Sequence, residues 1–165
     1  MTNPLVVVMG VSGSGKTTVG TSLAERLGVP YAEADDFHPP ENVAKMASGV
    51  PLDDEDRRPW LDSIAAWLKG QDGEGGVVTC SALKRSYRDR LRRAAPELFF
   101  LHLDGSAELI SARLDGRKGH FMPPDLLRSQ IETLEPLELD EQGAVVPIDG
   151  TPEETAELAV AAVPR

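Results

Sequence analysis

The sequence predicts an α/β fold, a five-stranded parallel sheet with helices on both faces. Two observations predict it. Short apolar runs alternate with stretches of helical periodicity along the 165 residues, the pattern of a parallel sheet covered by its own crossovers. The first apolar run also passes into a helix through a glycine-rich turn, "VVVMGVSGSGKTTVG" at 6–20.

Leu5–Met9 is β-branched and apolar throughout, as a strand buried on both faces requires. The turn after it, Gly10-Val11-Ser12-Gly13-Ser14-Gly15-Lys16-Thr17, followed by Thr18, matches G-x-x-x-x-G-K-[ST], the phosphate-binding P-loop. Glycine lets such a loop curl until successive backbone N–H groups point inward and form a nest for phosphate oxygens. The next helix adds its positive dipole end. Lys16 is the mobile charge for the β- and γ-phosphates, and the Thr17 hydroxyl suits Mg²⁺. The loop therefore predicts ATP or a related nucleotide, with Mg²⁺, as ligand.

Val19, Leu23 and Leu27 recur at helical spacing until Gly28 and Pro30 end the helix. A weak second strand over 30–34 ends at Asp35-Asp36, and a short helical piece follows at 42–47. "PLDDEDRRPW" leads into a helix whose apolar face is Leu61, Ile64, Ala65 and Leu68. Its four acidic residues are expected just before the helix, with Pro59 at an early helical position. "GGVVTC" is the third strand, 85–95 a helix, "LFFLHLD" the fourth strand and about 106–115 a helix. "GRKGHFMPPD" breaks all periodicity, and 126–134 is helical again. "AVVPID" is the fifth strand, and Thr151-Pro152-Glu153-Glu154 opens the last helix with a capping box.

The length fits one domain, 1–165. A formal net charge of -10 and a pI near 4.7 argue against nucleic-acid and anionic-membrane partners. No apolar run approaches the ~20 residues that span a bilayer, and the first strand begins too early for a signal peptide. The single cysteine, Cys80, fits a reducing compartment. Together these predict a cytoplasmic protein.

Among nucleotide-binding classes, the N/T-K-x-D guanine motif and the transporter-ATPase signature are absent, and "VVTC" ends without a Walker-B aspartate. Mg²⁺ is then expected on Thr17, water, phosphates and Asp35. The short chain and the glycine/basic break near 116 point to a small-molecule kinase with a lid over about 116–135.

Three segments carry a closer likeness: "DDFHPPENVAKMASGVPLDDEDRRPWL", "CSALKRSYRDRLR" and "RKGHFMPPDLLRSQIETLEPLE". With "MGVSGSGKTT" they cover most of the chain, and in this order the sequence resembles bacterial gluconate kinases. The resemblance implies ATP-dependent phosphorylation of D-gluconate at its 6-hydroxyl, a fold similar to nucleoside monophosphate kinases, and a homodimer. Asp35 is the equivalent acid, with Asp36 beside it as the alternative. It would aim the attacking hydroxyl, accept its proton or hold a metal-bound water.

His38, in "HP", moves toward substrate contact by the same resemblance, and His120 in the lid is a second candidate. A sugar acid needs bidentate donors beside acceptors, and Arg58, Lys84 and Arg88 are the expected ones. Arg85, Arg90, Arg92 and Arg93 read as a solvated, salt-bridged face. In the lid, Arg113, Arg117 and Lys118 can reach phosphate when Gly116 and Gly119 let the segment close, with Arg117 at the transferring group. The loop between Asp149 and Pro152 is the candidate adenine contact by position. Trp60 and Trp67 read as packing or dimer surface.

The alternatives are another small-molecule kinase, for shikimate or a nucleoside monophosphate, and a non-catalytic ATP-binding regulator. The glycine triplet of shikimate kinases and the D-G-[FY]-P-R run of adenylate kinases are absent. Intact Lys16, Thr17 and Asp35 favour a catalyst.

Overall fold

A computed structural model describes residues 3–164 apart from Ser12, Pro51, Asp72 and 116–123. Five strands form one sheet: β1 (Leu5–Met9), β2 (Tyr31–Glu33), β3 (Gly76–Thr79), β4 (Phe99–Asp104) and β5 (Gly143–Pro147). Their order is β2-β3-β1-β4-β5, and every pairing is parallel. The seven helices among the described residues are α1 (Lys16–Leu27), α2 (Pro40–Ala47), α3 (Asp54–Gly70), α4 (Arg85–Ala94), α5 (Ala107–Asp115), α6 (Pro124–Thr133) and α7 (Pro152–Ala162).

β1 is central, and all five of its residues are buried. Successive side chains of a strand point to opposite faces, so β1 divides between two cores. Val6 and Val8 pack with Val19 and Leu23 of α1, Ile110 of α5, Leu127 of α6 and Ala159 of α7. Leu5, Val7 and Met9 pack with Leu61, Ile64 and Leu68 of α3 and Leu91 of α4. The expected helical face 61–68 is therefore the one that meets the sheet. Parallel strands also end at one edge, and their C-terminal ends carry the P-loop, the Asp35 turn and the segment after Cys80.

Two local readings are corrected. β2 ends at Glu33, and Asp35 and Asp36 lie on a 3-10 turn, Ala34–Phe37, rather than at a strand end. Neighbours on such a turn diverge by about 120° instead of alternating across a strand. The acidic run does not precede α3 but forms its first turn, leaving Pro59 inside the helix. The missing N–H of Pro59 removes one helical hydrogen bond. The turn before it is held from outside. Asp53 accepts from the Asp56 N–H at 2.8 Å, and the Asp56 carboxylate accepts from the Asp53 N–H at 3.0 Å. Lys45 of α2 reaches the same carboxylate at 2.6 Å. At the other end of the chain, the Thr151–Glu154 capping box forms as the sequence predicts.

The basic helix α4 is tied to the chain after α6. Arg88 is wholly buried, and its Nε and Nη2 donate to Glu141 at 2.7 and 3.0 Å. Its remaining bonds run to the Ala82 carbonyl at 2.9 Å and the Pro136 carbonyl at 3.3 Å. Ala82 has a φ of 45°, a left-handed conformation that a side chain disfavours, so Arg88 braces a strained turn. Arg92 also reaches Glu141, at 2.7 Å. Arg85 pairs with Glu138 and Asp140, and Arg90 with Asp62, as the salt-bridged face predicts.

Burial would raise the Glu141 carboxyl, but Arg88, the Glu138 N–H and Arg92 outweigh it and hold it at about 2 against an ordinary 4.5. The folded value is depressed, so this stabilisation is fully present above pH 4.5 and is lost as the pH falls toward about 2. Glu141→Gln leaves the Arg88 guanidinium buried without a counter-charge. We expect it to lower the unfolding free energy by about 3–5 kcal/mol in urea titration at neutral pH. The gap between variant and parent should narrow as the pH is lowered; a loss below ~1 kcal/mol would show the pair to be of no consequence.

Candidate functional site

The P-loop leaves β1 through a turn that only glycine fits. Gly10 has a φ of 148°, and a Cβ there would lie 2.8 Å from Ser14 Oγ and 2.9 Å from the Leu103 carbonyl oxygen. Its N–H reaches the Ser81 carbonyl at 3.4 Å, continuing the β1–β3 ladder past the strands. Gly13 and Gly15 have φ values of 84° and 94°, which curl the loop into the start of α1. The buried Ser14 hydroxyl donates to the Val11 carbonyl at 2.7 Å and closes the loop. Lys16 folds back over it, its Nζ donating to the Gly10 and Val11 carbonyls at 2.9 and 3.1 Å. Thr17 and Thr18 are exposed in the first turn of α1. Ser12 lies outside the described residues.

Asp35 is exposed on the 3-10 turn. Cys80, buried at the end of β3, relates it to Lys16. Burial pushes the Cys80 thiol up to about 12; the Ala82 N–H and the Lys16 charge oppose the rise, and the Asp35 charge adds to it. Lys16, after β1, and Asp35, after β2, thus flank the end of β3, the strand that lies between them. The thiol itself stays protonated and inert.

His38 follows the 3-10 turn, its ring stacked on Trp60 at 4.6 Å with an 8° tilt. Trp60 is buried and donates from Nε1 to the Ala34 carbonyl at 2.6 Å. It packs, as the sequence predicts, and it also forms a plate for the imidazole. Trp67 meets Phe37 edge-on.

An open depression of about 490 Å³ is lined by Leu52, Asp53, Asp54, Glu55, Arg57 and Lys84. Tyr87 closes the cluster: its hydroxyl donates to Asp54 at 2.5 Å and accepts from Arg57 at 3.2 Å. Lys84 reaches Asp54 at 3.2 Å. The hydrogen bonds from Tyr87 and Lys84 lower the Asp54 carboxyl, the Asp54 bond raises Lys84, and burial followed by Asp54 raises the Tyr87 phenol. The depression thus offers two cations beside an ionised acceptor, the mixture a polyhydroxy acid requires.

Of the expected substrate residues, Lys84 lies in this cluster. Arg58 is exposed on α3, and its neighbour Arg57 is the arginine that faces Tyr87. Arg88 does not face the depression, because full burial commits its donors to Glu141, Ala82 and Pro136; direct substrate contact is corrected to a structural tie. Arg113 donates to the Ile148 and Gly150 carbonyls, at 2.5 and 3.2 Å, bracing the loop singled out for adenine. Arg117, Lys118 and His120 lie outside the described residues. Sequence reasoning missed Asp54, Arg57 and Tyr87. Their only signal is spacing: Asp54 and Arg57 are three apart on one helix, as are Lys84 and Tyr87 at the start of the next. No helix among the described residues is long and apolar enough to cross a membrane.

Comparison with known proteins agrees with this fold. A family model for shikimate kinase matches residues 12–158. The chain is 55% identical to a gluconokinase of Gluconobacter oxydans, covering 79% of this chain and 74% of that protein. It is 48% identical to the thermosensitive gluconokinase of Escherichia coli, covering 84% of this chain and 75% of that one. A solved gluconokinase structure from Sinorhizobium meliloti superposes with a TM-score of 0.90 at 46% identity, over 97% of this chain and 91% of that chain. The Mycobacterium tuberculosis APS kinase, at 15% identity and a TM-score of 0.69 over 98% of each chain, shares the fold.

Gly10→Ala should weaken ATP binding at least about tenfold by calorimetry, because overpacking of ~1–3 kcal/mol falls directly on the loop. Unchanged affinity would mean that the turn is not what shapes the nest.

Proposed function

This chain belongs to the gluconokinase family, and we propose that it transfers the γ-phosphoryl group of ATP to the 6-hydroxyl of D-gluconate, giving 6-phospho-D-gluconate and ADP. The observation that carries this reading is the glycine-built loop with Lys16 folded back over it, at the same sheet edge as the turn that carries Asp35. A phosphate-holding cation follows β1 and an acceptor-aiming carboxylate follows β2, and between them the segment after β3 supplies Lys84 to a depression suited to a sugar acid.

In this reading the backbone N–H groups of 10–18 cradle the phosphates and Lys16 follows the β- and γ-oxygens. Asp35 aims the acceptor hydroxyl. As the new O–P bond forms, the bond to the β-phosphate oxygen breaks and the hydroxyl proton passes to the Asp35 carboxylate. Lys84, with Arg57 or Arg58, holds the carboxylate end of the substrate, and His38 contacts a substrate oxygen. Arg113 supports the adenine side through the 148–150 loop. Arg117 serves the transferring group when the lid closes and excludes water, which would otherwise compete as acceptor, and His120 is a further substrate contact.

The donor set fits Mg²⁺. The exposed Thr17 hydroxyl and the Asp35 carboxylate are hard oxygen ligands, and Mg²⁺ takes only one or two protein ligands besides phosphates and water. When bound, the ion neutralises charge on the phosphates. The family resemblance further implies a homodimer, which sedimentation of the purified chain tests. An acidic pI near 4.7 and one buried cysteine support a cytoplasmic setting.

ADP release across a panel of sugar acids, shikimate and nucleoside monophosphates tests the substrate; D-gluconate should be the preferred acceptor, and preference for any other class would replace this reading. Lys16→Met should leave the fold intact and reduce turnover at least about a hundredfold, the scale of one lost electrostatic stabiliser. Asp35→Asn should reduce gluconate phosphorylation by roughly two to four orders of magnitude, as for a lost general base, with ATP affinity nearly unchanged. Asp36→Asn should be mild, and rates in the reverse order would identify Asp36 as the acting carboxylate.

A further inference from the structure

Asn42 has only 3% of its surface exposed and stands between α3 and the His38 ring. Its Nδ2 donates to the Asp56 carbonyl at 2.8 Å and lies 3.2 Å from His38 Nδ1. A backbone carbonyl can only accept, so the amide nitrogen, not the amide oxygen, must face Asp56. That fixes the orientation of the Asn42 side chain from chemistry alone. The same –NH₂ then turns its second hydrogen toward His38 Nδ1. A ring nitrogen facing a donor must offer a lone pair, so the proton of the neutral imidazole belongs on Nε2.

The plane of the ring is set by its neighbour. Trp60 stacks on its face nearly in parallel, and the Trp60 indole is itself pinned to Ala34. Burial is what disfavours the imidazolium and lowers His38 from its ordinary value; Asp35, on the preceding turn, favours the charged form, and Arg57 of α3 opposes it.

We propose that Asn42 is a positioning residue that holds His38 as the Nε2–H tautomer, so that the half-buried imidazole presents a hydrogen-bond donor to an oxygen of the acceptor substrate. The inference rests on the gluconate reading above and deepens it. A donor at this point favours a carboxylate or hydroxyl oxygen and rejects an ammonium group, which would place donor against donor. Asn42 itself does not touch substrate. Its influence passes through His38, and the pair links α2 and α3 to the turn that carries Asp35.

The tautomer is read directly by long-range ¹⁵N–¹H correlation of the imidazole in the substrate-free protein. We expect an unprotonated Nδ1 and a protonated Nε2 at neutral pH; a protonated Nδ1 would overturn the inference, whatever the enzyme does with gluconate. His38→Gln keeps an N–H close to the place of Nε2, whereas His38→Asn keeps one close to the place of Nδ1. His38→Asn should raise the KM for gluconate about tenfold, the scale of one neutral hydrogen bond, with the KM for ATP unchanged. His38→Gln should recover most of that loss, and better rescue by His38→Asn would overturn the inference. Asn42→Leu should give a mixture of tautomers and a several-fold higher KM for gluconate in protein whose circular dichroism is native. A pure Nε2–H spectrum in that variant would show that Asn42 does not set the tautomer. If wild type phosphorylates gluconate but His38→Ala leaves the KM unchanged, the substrate contact fails while the proposed activity stands. If wild type does not phosphorylate gluconate at all, the proposed activity fails, and the substrate-free spectrum still reports on Asn42 and His38.

Discussion

The constraint on which the rest depends is the exit of β1. The strand is buried along its whole length and hydrogen-bonded on both sides, so its backbone has one route out, upward at the C-terminal edge of the sheet. Gly10 stands at that exit with the Leu103 carbonyl and Ser14 hydroxyl too close for any Cβ. The turn that follows has to curl, and it curls with the Lys16 side chain returned over its own carbonyls. A cradle for phosphate is therefore a consequence of how a central parallel strand leaves its sheet. The neighbouring strands end at the same edge for the same reason, which brings the Asp35 turn and the Cys80 segment to the loop.

Electrostatics must reconcile an acidic protein with polyanionic ligands. A chain of formal net charge -10 repels ATP and sugar acids at long range, so the attraction has to be focused locally. Many of the acids are occupied elsewhere: Asp53 and Asp56 cap α3, Asp62 holds Arg90, and Glu138, Asp140 and the buried Glu141 hold arginines of α4. Arg57 and Lys84 stand together at the depression instead, and Lys16 lies over the P-loop. The buried Arg88–Glu141 pair has a separate task. Both ions lose their hydration there, and such a pair is seldom a net source of stability. Its geometry ties the turn at Ala82 to the chain after α6.

Much of this was legible in the sequence, for identifiable reasons. The P-loop, the five strands and the Thr151 capping box rest on local rules, such as glycine placement, β-branched runs and side-chain-to-backbone caps, and they form where those rules put them. The start of α3 was misread because Pro59 signals an early helical position; the outside ties of Asp54 and Asp56 to Tyr87 and Lys45 let the helix begin a turn sooner. Asp35 was singled out by its place after a strand, although the strand gives way to a 3-10 turn first. Arg88 looked like a substrate ligand because it lies one turn after Lys84. Only its partner Glu141, far along the chain, shows that it points inward. Asn42 had no signal at all and Tyr87 only its spacing from Lys84, since each acts through a contact between helices.

The central claim is that this edge delivers a phosphoryl group to a primary hydroxyl of a sugar acid, and the product reports it directly. Proton-coupled ³¹P spectra of the protein with Mg·ATP and D-gluconate should show ADP and one new phosphate ester, split by the two equivalent-order protons of a CH₂–O–P group. Inorganic phosphate in place of an ester, or an ester coupled to a single proton on a secondary carbon, would contradict the account.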